Sequence, residues 1–124
     1  MIFKIDNKGN LIQINHIPHE YEFNLWRNRL TSDEYNAIIE TLNNRIDSSQ
    51  IETAGWIPGN NWAGTVYEPI YTKACNDVEE QSGLCFGLFV WVVFLNREDA
   101  WSFGKYELNN IPIRSLTYFR IQIP

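Results

Sequence analysis

From Leu84 to Leu95 the chain is apolar for twelve residues, interrupted only by Gly87 within them, and no other feature constrains its folding so strongly. A bilayer span needs about twenty such residues, so this segment belongs inside a folded domain. Phe89-Val90-Trp91-Val92-Val93-Phe94 has strong β character. Twelve residues is long for a strand, however, and the run follows Asp77, Glu79 and Glu80. Acidic residues in that position suit an N-cap and a first helical turn, where the helix dipole favours anions. The segment therefore predicts a buried helix over about 78–95, with Asp77 as its N-cap. Gly83 and Gly87, four apart, would give it a flat side for close packing. The alternative is a strand from 86 to 95 leading a three-stranded meander.

A buried helix needs a shell, and the chain can supply one. Its 124 residues suit a single domain, 1–124, and area scaling buries about two-thirds of the extended chain's surface. With 44% hydrophobic and 20% charged residues, the composition is that of a folded protein. Ten Lys+Arg against fifteen Asp+Glu leave a net charge of −5. That balance argues against a broad duplex-binding surface, which needs many cations. Fifteen carboxylates are also too few for a whole-surface mimic of nucleic acid.

Met1-Ile2-Phe3-Lys4-Ile5-Asp6 turns polar too soon for a secretory signal, so the expected location is cytoplasmic. Cys75 and Cys85, ten apart, match no zinc or redox motif. They are expected as free thiols, at least one of them buried.

The remaining elements follow from local chemistry. Ile2-Phe3-Lys4-Ile5 and Leu11-Ile12-Gln13-Ile14 flank Asp6-Asn7-Lys8-Gly9-Asn10, a β-hairpin with a five-residue connection. Residues 15–30 are ambiguous: Pro18 breaks an early helix, and Phe23, Leu25, Trp26 and Leu30 must anchor whatever forms. Thr31-Ser32-Asp33-Glu34 fits a capping box. Tyr35, Ile38, Ile39, Leu42 and Ile46 then mark one stripe of a helix over about 32–46. Residues 51–57 suggest a strand with Ile51, Thr53 and Ile57 on one face, and Pro69 a short helix over about 68–76. At the end, Trp101–Tyr106 and Ile113–Ile123 bracket Glu107-Leu108-Asn109-Asn110 as a second hairpin. Its last strand would direct Phe119, Ile121 and Ile123 to one side and Arg120 and Gln122 to the other. The expected fold is α+β: an antiparallel sheet built from N-terminal and C-terminal β-hairpins, covered by two or three central helices.

Catalytic signatures are sparse. His16-Ile17-Pro18-His19-Glu20 has metal-binding residue types, but Pro18 removes the helical spacing and there is no third histidine. Cys75, near Lys73, is a better nucleophile candidate than Cys85, which Leu84 and Phe86 would desolvate. No phosphate-binding or dinucleotide motif and no nucleophile elbow is present. Arg27, Arg29, Arg114 and Arg120 could bind an anion only if the fold gathers them.

The informative stretch is Gly55–Thr65, which carries no charge and holds three glycines and a proline. Around it Trp56, Trp62, Tyr67 and Tyr71 fall within sixteen residues, beside Asn60, Asn61, Thr65 and Glu68. Rigid aromatic faces next to amides can bind a protein, a sugar or a base. The competing role is structural, with the tryptophans pinning a long loop to the core. The binding candidates are Trp56, Asn60, Asn61, Trp62, Tyr67, Glu68 and Tyr71. The expectation is a small acidic protein-binding module of inhibitor, immunity or mobile-element accessory type, without catalysis, cofactor or metal. Its expected partner is another protein, not a membrane or nucleic acid. The alternative is a small-molecule or carbohydrate-binding domain, hydrolytic in one version, with the same loop lining a pocket.

Overall fold

The computed structural model describes residues 1–59 and 61–123. It is α+β, with a mixed five-stranded sheet and four helices. The first strands, β1 (Ile2–Ile5) and β2 (Leu11–Ile14), form the expected antiparallel hairpin. Asp6 organises its loop: one carboxylate oxygen accepts from the amides of Lys8 and Asn10, both at 2.8 Å. Gly9 takes φ +81° there, where a side chain would be strained.

The ambiguous region becomes helix α1 (Glu20–Asn28), entered through His19 at φ +52°. Phe23 and Trp26 form its buried face, and Leu30, just beyond its C-cap, is buried as well. Leu25, expected as an anchor, lies off that stripe and is exposed. Helix α2 (Ser32–Asp47) starts on the predicted capping box, Thr31 Oγ1 accepting from the Glu34 amide at 3.1 Å and the Glu34 carboxylate from the Thr31 amide at 2.9 Å. Its buried stripe is Ile38, Leu42 and Ile46.

A short strand, β3 (Ile51–Thr53), leads into a 3₁₀ turn at Ala54–Trp56, so the strand predicted over 51–57 is cut to three residues. The short helix expected at 68–76 is chiefly a π-helix, α3 (Ile70–Ala74), with Pro69 before it. The apolar run is helix α4 (Glu79–Asn96). Its N-cap is Val78 and not Asp77, because Asn76 and Asp77 both take left-handed backbone conformations, φ +51° and +63°. Added Cβ atoms at Gly83 and Gly87 would meet nothing within 4 Å among the described residues. These glycines therefore make no close helix contact.

Helix α4 is apolar around its circumference, and three kinds of neighbour use its different sides. Phe86 meets Trp62 and Tyr67. Phe89 takes edge contacts from Phe23 of α1 and Tyr35 of α2. Trp91 and Phe94 meet the sheet, where Phe94 stacks on Tyr118 with centroids 4.0 Å apart.

The C-terminal strands are β4 (Trp101–Gly104), β5 (Glu107–Leu108), β6 (Ile111–Pro112) and β7 (Thr117–Arg120). The main sheet has the order β2-β1-β4-β7-β3, while β5 and β6 form a separate ribbon. The Asn109-Asn110 hairpin signal is real, both residues having positive φ, but it closes only this two-residue-armed ribbon. The C-terminal hairpin itself joins β4 to β7.

The sheet is not wholly antiparallel, because β1 and β4 run parallel, Ile2 opposite Trp101. A parallel pair needs a long crossover, which here is the entire helical region.

Two strands turn a charged residue, not its apolar neighbour, toward the side that faces α4. Tyr118 is buried against α4, and strand alternation puts Arg120 on its side and Phe119 on the other. In β3, Ile51 is 67% exposed whereas Glu52 is buried. Both placements have a polar cause. Arg120 donates to Asp99 at 2.7 Å and to the carbonyls of Ser49 and Ile46 at the end of α2, and its guanidinium lies over the Trp101 ring. Glu52 accepts from Arg45 at 3.1 Å and Ser49 at 2.8 Å. A charge that finds such partners can occupy a core-facing position.

Candidate functional site

The uncharged loop folds over the N-terminal half of α4. Tyr67 is buried with its ring edge-on to Phe86, and the Trp62 ring lies 5.7 Å from the same phenylalanine. These contacts make Tyr67 a loop anchor and leave Trp62 half-buried. The Trp62 indole N–H donates to the Gly59 carbonyl at 3.2 Å, and the Trp62 carbonyl accepts from the Thr65 amide and hydroxyl. Asn61 caps the turn by accepting from the Ala63 amide at 3.0 Å. Glu68 accepts from the Gly64 amide at 2.7 Å, where Gly64 has φ +75°. Ile57 and Tyr67 root this loop in the core, with Trp62 and Val66 packed against it, and internal hydrogen bonds hold the shape of its outer part.

A cavity of about 630 Å³ opens between this loop, α3 and the first turns of α4. Trp62, Tyr71, Asn61 and Glu68 line it together with Thr72, Glu79, Ser82 and Gly83. Tyr71 and Thr72 reach it from the π-helix, in which the Cys75 amide bonds back five residues to Ile70. Such widened turns recur at functional sites. Among the predicted binding residues, Asn61, Trp62, Glu68 and Tyr71 are thus brought together. Tyr67 sits beneath them in the core, and Trp56, 56% exposed, stands outside the cavity. Asn60 lies outside the described residues. Sequence reasoning missed Thr72, Glu79, Ser82 and Gly83 as cavity residues; the one signal of the last three was their position at the start of α4.

The other chemical candidates are placed elsewhere. His16 and His19 are exposed and do not line the cavity. The backbone carbonyl of His16 accepts from the Trp91 indole at 3.0 Å. No group of three His, Cys, Asp or Glu side chains is arranged to hold a metal among the described residues.

Cys75 and Cys85 are both buried free thiols. A hydrogen bond with Cys85 holds the Cys75 thiol below its ordinary value, and the same bond, with burial, pushes Cys85 well above it. Burial shields Cys75 from a substrate, against its candidacy as a nucleophile. Three of the four arginines are engaged internally: Arg27 over Tyr35, Arg29 on the Ala74 carbonyl, and Arg120 as above.

A second polar centre lies at the far end of α4. The Asp99 carboxylate accepts from Arg97, Arg120 and the Trp101 indole at 2.7–2.9 Å. Arg97 also reaches Asn43 and Asp47 of α2. The hydrogen bonds from Arg97, then those from Trp101 and Arg120, hold the Asp99 carboxyl far below its usual range. The Asp99 carboxylate and the Arg97 and Arg120 guanidiniums are all engaged by structural partners, and the network joins α2, α4 and the sheet.

Comparisons of the chain with protein families, with curated proteins and with solved structures find no match. No helix among the described residues is long and apolar enough to cross a membrane.

Proposed function

We propose that this chain is a small acidic protein-binding module of the inhibitor, immunity or mobile-element accessory type, acting without catalysis, in the cytoplasm, through its uncharged aromatic loop. One observation carries the reading. Trp56 is 56% exposed at the edge of a loop that Tyr67 and Trp62 anchor from beneath. An exposed tryptophan on an already shaped surface offers large contact area at little entropic cost, as interface anchors do.

The test is affinity capture from lysate of the source organism, comparing wild type with folded Trp56→Ala, followed by titration of the purified partner. A partner held by wild type and lost with the variant supports the reading. Equal capture by both baits overturns the assignment of Trp56.

The second reading, a small-molecule or carbohydrate-binding domain, draws on the cavity where Trp62 and Tyr71 stand beside Asn61 and Glu68. Its volume falls within the range of ligand pockets, about 300–1,000 Å³. Binding of a neutral glycan that broadens the Trp62 indole resonance, with no protein captured, would favour it. The hydrolytic version has less support, since neither histidine reaches the cavity.

A further inference from the structure

We infer that the cavity beside Trp62 is a socket for a cationic side chain, an arginine in preference to a lysine, presented by a basic partner protein. This rests on the reading of the loop as a protein-binding surface and names the chemistry the surface selects. Two carboxylates, Glu68 and Glu79, line the cavity, and no Lys, Arg or His does. One Glu68 oxygen is held by the Gly64 amide, and the other has no hydrogen-bond partner among the described residues. Glu79 forms no ion pair among them. Lys73, the lysine nearest in sequence, is drawn away to Glu34 at 2.6 Å.

Trp62 and Tyr71 add aromatic surface beside these carboxylates. A planar guanidinium can stack on an aromatic face while its edge meets a carboxylate, whereas a tetrahedral ammonium cannot stack or present such an edge.

The N-terminus of α4 also faces this region and would by itself favour an anion. Its dipole amounts to about half a positive charge. Glu79 and Glu80 in its first turn, Asp77 just before it and Glu68 across the cavity outweigh that charge. An anionic ligand would meet net repulsion. The chain's net charge of −5 adds long-range attraction for a basic partner. Gly83 lacks a side chain on the cavity wall, and a Cβ there would touch nothing within 4 Å among the described residues. That leaves open space on this wall for an incoming side chain.

The experiment is an NMR titration of ¹⁵N-labelled protein with N-acetyl-arginine methylamide, its uncharged citrulline analogue, putrescine and methyl glucoside. The arginine derivative should shift the Trp62 indole and Gly83 amide resonances, saturating at millimolar concentration and weakening as salt is raised. Citrulline should bind roughly tenfold more weakly. Glu68→Gln with Glu79→Gln, shown to be folded by its spectrum, should weaken arginine binding by about tenfold or more. Gly83→Leu, which narrows the cavity beside Ser82 without removing a charge, should also weaken it.

Equal binding of citrulline, tighter binding of the glucoside, or no shift with any probe overturns the socket. Tighter binding of putrescine than of the arginine derivative also overturns it, by making this a free-amine site. The capture experiment separates the two failures. A partner lost with Trp56→Ala but kept by the double Gln variant sinks the socket and leaves the binding surface. Arginine binding with no protein partner supports the socket chemistry while sinking the module reading.

Discussion

Four residues show how local chemistry sets the properties of single positions. Asp99 receives hydrogen bonds from two arginines and an indole, which hold its carboxyl below the ordinary value. A depressed folded value means stabilisation that is present above the unfolded value, about 3.9, and lost as pH falls below it. Wild type should therefore lose stability more steeply than Asp99→Asn between about pH 5 and pH 3. At neutral pH the variant should cost about 2 kcal/mol in urea denaturation, discounted for partial exposure. Ser102 presents the opposite case, because its buried hydroxyl has no partner among the described residues. It lies between Phe3 and Phe119 on the sheet face away from α4. Ser102→Ala should raise stability by about 1 kcal/mol, measured by the same denaturation. The tryptophans divide by burial. Trp56→Ala should shift stability by no more than about 0.5 kcal/mol, and Trp62→Ala, which loses the Phe86 contact, should cost about 1–3 kcal/mol.

At the scale of elements, α2 and α4 are stabilised in different ways. Helix α2 carries its own start signal, and Thr31→Ala should cost about 1 kcal/mol through loss of the Glu34 amide's acceptor, read as a lower melting temperature. Helix α4 has no side-chain cap and depends on burial. Its exposed, unpacked Gly83 is a weak point: Gly83→Ala should stabilise the helix by up to about 1 kcal/mol without closing the cavity. Both helices were legible in the sequence, the first from its period and cap, the second from length and acidic start. The strands were legible as segments and misleading in their facing. Apolar alternation assigns Ile51 and Phe119 to the core, but Glu52 and Arg120 have ionic partners below the sheet and claim that side. Alternation cannot register a partner that lies far along the chain.

For the whole molecule, α4 is the axis around which everything else is arranged. Its phenylalanines contact the loop, the helices and the sheet in turn, so Phe94→Ala should cost about 3–5 kcal/mol and loosen the structure globally. The same central helix supplies one wall of the cavity, which is how a buried core segment comes to shape a surface site. The amino-acid sequence alone determined the α+β class, the N-terminal hairpin, the capping box and the buried apolar helix. Each depends on residues within a few positions of one another, where turn, capping and periodic burial operate. Only the tertiary structure decided that β1 and β4 run parallel, that Tyr67 anchors while Trp56 stays exposed, and that Glu79 and Gly83 share a cavity with Trp62. Those outcomes rest on contacts between distant segments, which form only once the helical crossover has brought them together.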